Sequence, residues 1–158
     1  TENPLTPAAR EYFGVIGDSD PMYRGGSYQF VQKYIHDMTA WNALPVAEQE
    51  KVIGRSKHDD IEMDEDEKPA NSHSAIANIG DDFKVIRDNM PFGTVGNNEL
   101  GTYFICYAST FSTVRKMLMN MFTGVDGANY DRLLDFSTAV TGTLFFVPTV
   151  DMLGDFAG

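Results

Sequence analysis

Stretches of strand-like alternation and stretches of helical spacing follow one another in this chain in an order that few folds accommodate. From Ser27 to His36, Tyr28, Phe30, Tyr34 and His36 share one parity and Val31 and Ile35 the other, the two-residue period of a strand covered on both sides. Asp37 is placed to cap a short helix carrying Met38, Trp41 and Leu44, and Pro45 opens a second helical piece that runs to Ile53 and ends at Gly54. Phe83 to Asn89 reads as the next strand. Pro91, Gly93, Gly96, Asn97 and Asn98 then turn the chain into a third, from about Gly101 to Ala108. Phe111, Val114, Leu118, Met121 and Phe122 recur at helical spacing ahead of Gly124, and Thr138 to Val147, rich in β-branched and aromatic residues, gives a last strand before Pro148. The order strand, helix, strand, strand, helix, strand is the split βαβ arrangement of a ferredoxin-like α+β domain, an antiparallel sheet with helices on one face. Its other face is left free to cover a ligand, a second domain or a partner subunit.

Charge narrows the partners. Twelve Lys and Arg against 23 Asp and Glu give a formal net charge of −11 and a pI of about 4.5, so nucleic acid and anionic membranes would repel the chain. No apolar run reaches the length of a membrane span, and the first residues have neither a basic n-region nor an apolar h-region, which makes a soluble, cytoplasmic protein the expectation. Residues 55–80 show no sustained periodicity and hold Asp59, Asp60, Glu62, Asp64, Glu65, Asp66 and Glu67, a solvated acidic loop without the glycine and the Asp order of a calcium loop. Cys106, the single cysteine, lies among Tyr103, Phe104, Ile105 and Tyr107 and reads as a buried, inert thiol. Thr1 to Pro7, with two prolines, reads as an extended arm and the Gly/Asp/Pro-rich passage after it as loop. The expected organisation is an arm over residues 1–24 and a domain over 25–158.

One stretch carries candidate chemistry. Between Asn71 and Asn89 the chain supplies His73, Arg87 and Asn89. In a strand from Phe83 to Asn89, Phe83, Val85, Arg87 and Asn89 share a face, so Arg87 and Asn89 point the same way. An arginine between apolar neighbours needs an anionic or hydrogen-bonding partner in a dry interior, and that partner could be a ligand.

Gly25-Gly26-Ser27-Tyr28, Trp41, Glu48-Gln49-Glu50 with Ile53-Gly54-Arg55, Asn71-Ser72-His73, Arg87-Asp88-Asn89 and Leu133-Leu134-Asp135-Phe136 resemble, in that order and spacing, the C-terminal half of bacterial dye-decolourising peroxidases. The resemblance covers nearly the whole chain. It implies a ferredoxin-like domain of the dimeric α/β-barrel superfamily, haem b (iron protoporphyrin IX) as cofactor, and reduction of hydrogen peroxide coupled to one-electron oxidation of bulky aromatic or dye-type substrates. Carried over by position, His73 is the proximal iron ligand, Arg87 the distal arginine and Asn89 the distal asparagine. Asp135 is the carboxylate that takes a hydrogen bond from the other nitrogen of His73, with Asp131 as its neighbour and rival. The resemblance also implies haem contacts from Asn78, Phe104, Glu2 and Asn3. A carboxylate behind a ligating imidazole fixes its tautomer and raises its basicity, and a distal guanidinium stabilises charge developing on the peroxide oxygens.

Departures from the family pattern shape the expectation further. The Gly-x-x-Asp-Gly motif that supplies the family's distal aspartate would lie directly ahead of Thr1, Gly80 stands where an arginine near a haem propionate is common, and no encapsulin-type extension follows Gly158. The chain therefore reads as the haem-binding C-terminal portion of a peroxidase that pairs with an N-terminal half or forms a homo-oligomer. A non-catalytic haem-binding or haem-carrier protein on the same fold is the alternative, and an acidic interaction module without cofactor is a third reading.

Overall fold

A computed structural model describes residues 6–80, 82–94, 96 and 99–156. The first described element is a helix, α1 (Pro7–Gly14); residues 1–5 of the arm expected over Thr1 to Pro7 lie outside the described residues. Pro7 occupies the first helical position, where its missing N–H is no loss, and the Thr6 hydroxyl accepts from the Ala9 N–H at 3.2 Å. Strand β1 (Ser27–His36) leads into α2 (Met38–Ala43), whose first turn is capped by Asp37 accepting from the Ala40 N–H at 2.9 Å. Helix α3 (Val46–Ile53) ends at Gly54, in the left-handed region with φ 82°. Next come the short α4 (His73–Ala77), β2 (Ile86–Gly93), β3 (Leu100–Ala108) and α5 (Phe111–Thr123). A 3-10 turn (Arg132–Asp135), β4 (Ser137–Ala139), β5 (Thr143–Val147) and α6 (Val150–Phe156) complete the order.

The sheet runs β2-β3-β1-β4, with every pair antiparallel and β5 also paired to β1. This is the order that a split βαβ domain produces, so the expected α+β fold is found. The last strand, expected as one piece from Thr138 to Val147, is split in two. Tyr34 faces Ala139 and Val31 faces Thr143, so three residues, Val140 to Gly142, stand opposite two on β1. One extra residue makes a bulge that re-aims the strand. The second strand begins later than expected and runs on through Pro91, which pairs with Thr102. A proline fits there because β2 lies at the edge of the sheet, where a missing N–H costs no ladder bond.

Register decides which side chains form the core. Phe30 faces Cys106, and Cys106 faces Arg87; Gln32 faces Phe104, and Phe104 faces Asn89. All of these lie on one face of the sheet. Phe30, Phe104, Cys106 and Ala108 are buried there beneath Val114, Met117 and Met121 of α5 and Ile76 of α4. Each of the larger side chains among them, Phe, Ile, Val or Met, stabilises the fold by ~1.5–3 kcal/mol when removed from water. The Cys106 thiol is wholly buried, and burial pushes it up to about 11, so it is the inert core residue that its neighbours suggest. The opposite face is not covered as the pattern of β1 suggested: Val31 and Ile35 are half-buried there, with Tyr103 39% and Phe145 48% exposed. Among the described residues α1 packs against it at one end, where Gly14 abuts Ile86 and the Phe13 carbonyl accepts from the Ser109 N–H at 2.7 Å.

Candidate active site

His73 opens α4, a helix too short to show a period in the sequence but anchored by Ile76 and Ala77, both buried. Its Nδ1 lies 2.6 Å from Oδ2 of Asp131, whose side chain is wholly buried. The other oxygen of Asp131 accepts from the Leu133 N–H at 2.9 Å. The two chain segments are joined again by the Arg132 N–H donating to the Asn71 carbonyl at 2.9 Å, and Asp131 is tied to α5 by its own N–H donating to Met121 O at 2.8 Å. With a carboxylate accepting at Nδ1, the ring proton is assigned there, which leaves the lone pair on Nε2.

Asp131 thus takes the place that the resemblance gave to Asp135. Asp135 is exposed and accepts from the Tyr130 phenol at 2.9 Å, a bond that raises the phenol's pKa. The reason is the turn between them. Asp131 stands in extended conformation just ahead of the turn and caps it, whereas Asp135 is the turn's last residue and faces solvent. The signal available in the sequence was the aspartate two residues ahead of Leu133, a turn-capping position.

Below His73 the sheet supplies a floor. Arg87 and Asn89 share its face, as their parity predicts even though the strand limits moved, and Phe104 and Gln32 continue their row inward. Arg87 and Asn89 are exposed, and no described residue forms an ion pair with Arg87. Arg87 therefore stands on an edge strand rather than in the dry interior that the expectation of an anionic or hydrogen-bonding partner assumed. Deeper in, the Tyr34 phenol donates to Gln32 Oε1 at 2.6 Å, and burial, with the charge of Asp131 second, raises the phenol's pKa. That bond fixes the Gln32 amide so that its NH2 group is turned away from Tyr34. His36 sits between the hydroxyls of Ser137 and Thr102, each 2.8 Å from a ring nitrogen.

Burial lowers the pKa of His36 from its ordinary 6.5. The unfolded chain therefore binds this proton more readily than the folded one. The neutral ring's contribution is complete above 6.5 and is lost as the pH falls from there through the folded value. Urea midpoints measured between pH 7.5 and pH 5 are expected to drop on the acid side, and His36→Gln to flatten that limb.

Floor and helices line a partly open cavity of about 410 Å³. Met117, Leu118 and Met121 of α5, with Trp41, Leu133 and Phe136, form its apolar walls, and Trp41 meets Phe136 edge-on at 5.4 Å between ring centres. His73, Arg87, Asn89 and Phe104 all line it. Asn78 does not. It is exposed, and its Oδ1 accepts from the Gly80 N–H at 3.0 Å, closing the end of α4 on itself. Glu2 and Asn3 lie outside the described residues. The acidic loop differs from the expectation in one respect, for it has cations built in: Lys68, its side chain 6% exposed, bridges Glu62 at 2.8 Å and Glu65 at 2.7 Å, and Arg55 reaches Asp60 at 2.7 Å.

Comparison with known proteins bears on what such a site belongs to. The profile of the family described as Dyp-type peroxidase, C-terminal, matches residues 1–152. A dye-decolorizing peroxidase of Rhodococcus erythropolis is 58% identical over 98% of this chain and 46% of its own length. The crystal structure of a dye-decolorizing peroxidase from Bacteroides thetaiotaomicron superposes with a TM-score of 0.94 at 61% identity, over 100% of this chain and 51% of that one. A DypB variant from Rhodococcus jostii RHA1, solved in complex with heme, superposes with a TM-score of 0.89 at 53% identity, over 96% and 50%. The chain spans about half the length of these relatives. It belongs to the Dyp-type peroxidases, and the part of that family which it represents is the C-terminal one.

Proposed function

We propose that this chain is the haem-binding part of a peroxidase that reduces hydrogen peroxide and oxidises bulky aromatic or dye-type reductants by single electrons, with haem b held through His73. The observation that carries the reading is the 2.6 Å bond from His73 to the buried Asp131, which leaves the lone pair on Nε2, in a histidine that lines an apolar cavity with Arg87 and Asn89. The residues present fit the group. The lining is apolar enough for a macrocycle, a neutral imidazole is a proper iron donor, and a carboxylate behind it is the usual second partner of a ligating histidine. When bound, haem supplies the redox chemistry, taking oxidising equivalents from peroxide and accepting electrons one at a time. The chain's own work is to position and to stabilise. Asp131 keeps the ring proton on Nδ1, Arg87 presents positive charge where negative charge develops on the peroxide, Asn89 adds a neutral donor, and Phe104 with the methionines of α5 excludes water.

Arg87 and Asn89 lie exposed on an edge strand, and this favours a second reading for the chain on its own, haem binding without efficient turnover. The fuller assignment has the remaining length of the family's members, or another subunit, closing that edge. Titration with haemin tests the common core of both readings. One equivalent is expected to give a Soret band, and His73→Ala to lose histidine ligation while His36→Ala and His58→Ala keep it. Retained axial histidine ligation in His73→Ala sinks the assignment.

A further inference from the structure

The His73–Asp131 pair is held from behind by α3. At the first turn of that helix, Glu48 Oε2 accepts from Arg132 Nη2 at 3.2 Å, one residue from Asp131. At its other end, Gly54 lies against the two serines that bracket His73. The helix itself has little room to shift. Val52 is wholly buried, and the buried Gln49 donates to the carbonyls of Trp41 at 2.9 Å and Leu44 at 3.3 Å and accepts from Lys57 Nζ at 2.7 Å.

Ser72 shows what the contact is for. It stands at the N-cap of α4, yet its hydroxyl takes no helix N–H, and Oγ is buried with no partner among the described residues. Leaving such a hydroxyl unpaired in the interior is unfavourable. The group does occupy space against Gly54. A Cβ at position 54 would overlap the Ser74 hydroxyl oxygen and stand 2.7 Å from Ser72 Oγ and 3.1 Å from Ser72 Cβ. The Ser74 hydroxyl also donates to the Gly54 carbonyl at 3.4 Å, and the Met63 N–H donates to the same oxygen at 3.0 Å.

We infer that Gly54 is a positioning residue for His73: its bare Cα is the seat on which the Ser72 and Ser74 hydroxyls rest, and that seat sets how closely the imidazole approaches Asp131. The functional weight of this inference rests on His73 being the iron ligand, but the geometry it concerns exists without haem. Gly54→Ala pushes on both hydroxyls at once and moves the first turn of α4 away from α3. Removing the hydroxyls removes most of the push, because the remaining neighbour, Ser72 Cβ at 3.1 Å, has only a few tenths of an ångström to give.

The test reads the His73 ring N–H by proton and nitrogen NMR in the native-length protein after haem extraction, where a short N–H···O bond gives a downfield, slowly exchanging signal. Gly54→Ala is expected to shift or lose that signal. The Ser72→Ala, Ser74→Ala double variant keeps it. With Gly54→Ala added to that double variant the signal is still present, although an alanine at φ 82° lowers the melting temperature. This rescue separates a steric push from general loss of stability, which the triple variant would share. An unchanged signal in Gly54→Ala overturns the inference, and so does a signal lost equally in the triple variant or a triple variant that fails to fold. If Gly54→Ala alone fails to fold, a triple variant that folds with the signal present supports it. Absence of a Soret band on adding haemin to the wild type would instead count against the haem reading and leave the positioning role standing.

Discussion

Exchanging Asp131 for asparagine is expected to weaken haemin binding by about 10–100-fold, the usual cost of losing the partner of a ligating histidine, while leaving the fold close to intact. The asymmetry comes from the two jobs of this carboxylate. One oxygen accepts from the Leu133 N–H at 2.9 Å, and the other from His73 Nδ1 at 2.6 Å. An asparagine keeps the first bond with its carbonyl and turns its NH2 group toward the ring. Nδ1 must then accept, the ring proton moves to Nε2, and the nitrogen facing the cavity loses the lone pair that would hold iron. Asp131→Ala behaves differently. It leaves the Leu133 N–H without an acceptor, which costs ~1–3 kcal/mol, whereas His73, its side chain 29% exposed, finds water. Soret titrations give the affinities, thermal melts the stabilities, and ring nitrogen shifts the tautomer. An asparagine variant that binds haemin as tightly as the wild type would show that Asp131 only caps its turn.

Local patterns were legible in the sequence where one residue type has one physical use. Asp37 caps α2, Gly54 and Gly124 end their helices, and the order of periodic segments gives the sheet its topology. The shared face of Arg87 and Asn89 survived a strand assigned three residues early, because parity does not depend on where a strand begins. What the sequence hid were features settled by tertiary neighbours. Five residues of α4 are too few to display a 3.6-residue period, and the helix is held because Ile76 packs with Val114, Met117 and Met121 of α5. The choice between Asp131 and Asp135 turns on which end of a single 3-10 turn is folded against α4 and α5. Pro91 read as a turn because its tolerance in a strand depends on that strand being at an edge, and Lys68 went unread among acidic residues until the loop folded around it.

Replacing Arg87 by alanine should slow oxidation of the haem-loaded protein by peroxide by about 10²–10³-fold when the cavity is closed by the rest of a full-length family member, the usual cost of removing one preorganised charge-stabilising donor. The size of the effect depends on water. At about 4 Å the attraction between unit charges is ~4 kcal/mol where the effective dielectric is near 20 and ~1 kcal/mol in bulk water. Arg87 is exposed on the edge strand of this chain, so for these 158 residues alone the screened value applies and the loss is expected to be only about fivefold. Asn89, which carries no charge, should matter less in both settings. Arg87→Lys should recover part of the rate, since it restores charge without the planar fork of donors. Stopped-flow mixing of haemin-loaded protein with peroxide, run on the 158-residue chain and on a native-length protein, measures the four rates needed. A loss from Arg87→Ala that is equally large in both proteins would mean that the guanidinium already works in a dry site and that the open edge of β2 has no part in the chemistry. No loss in either would remove Arg87 from the mechanism.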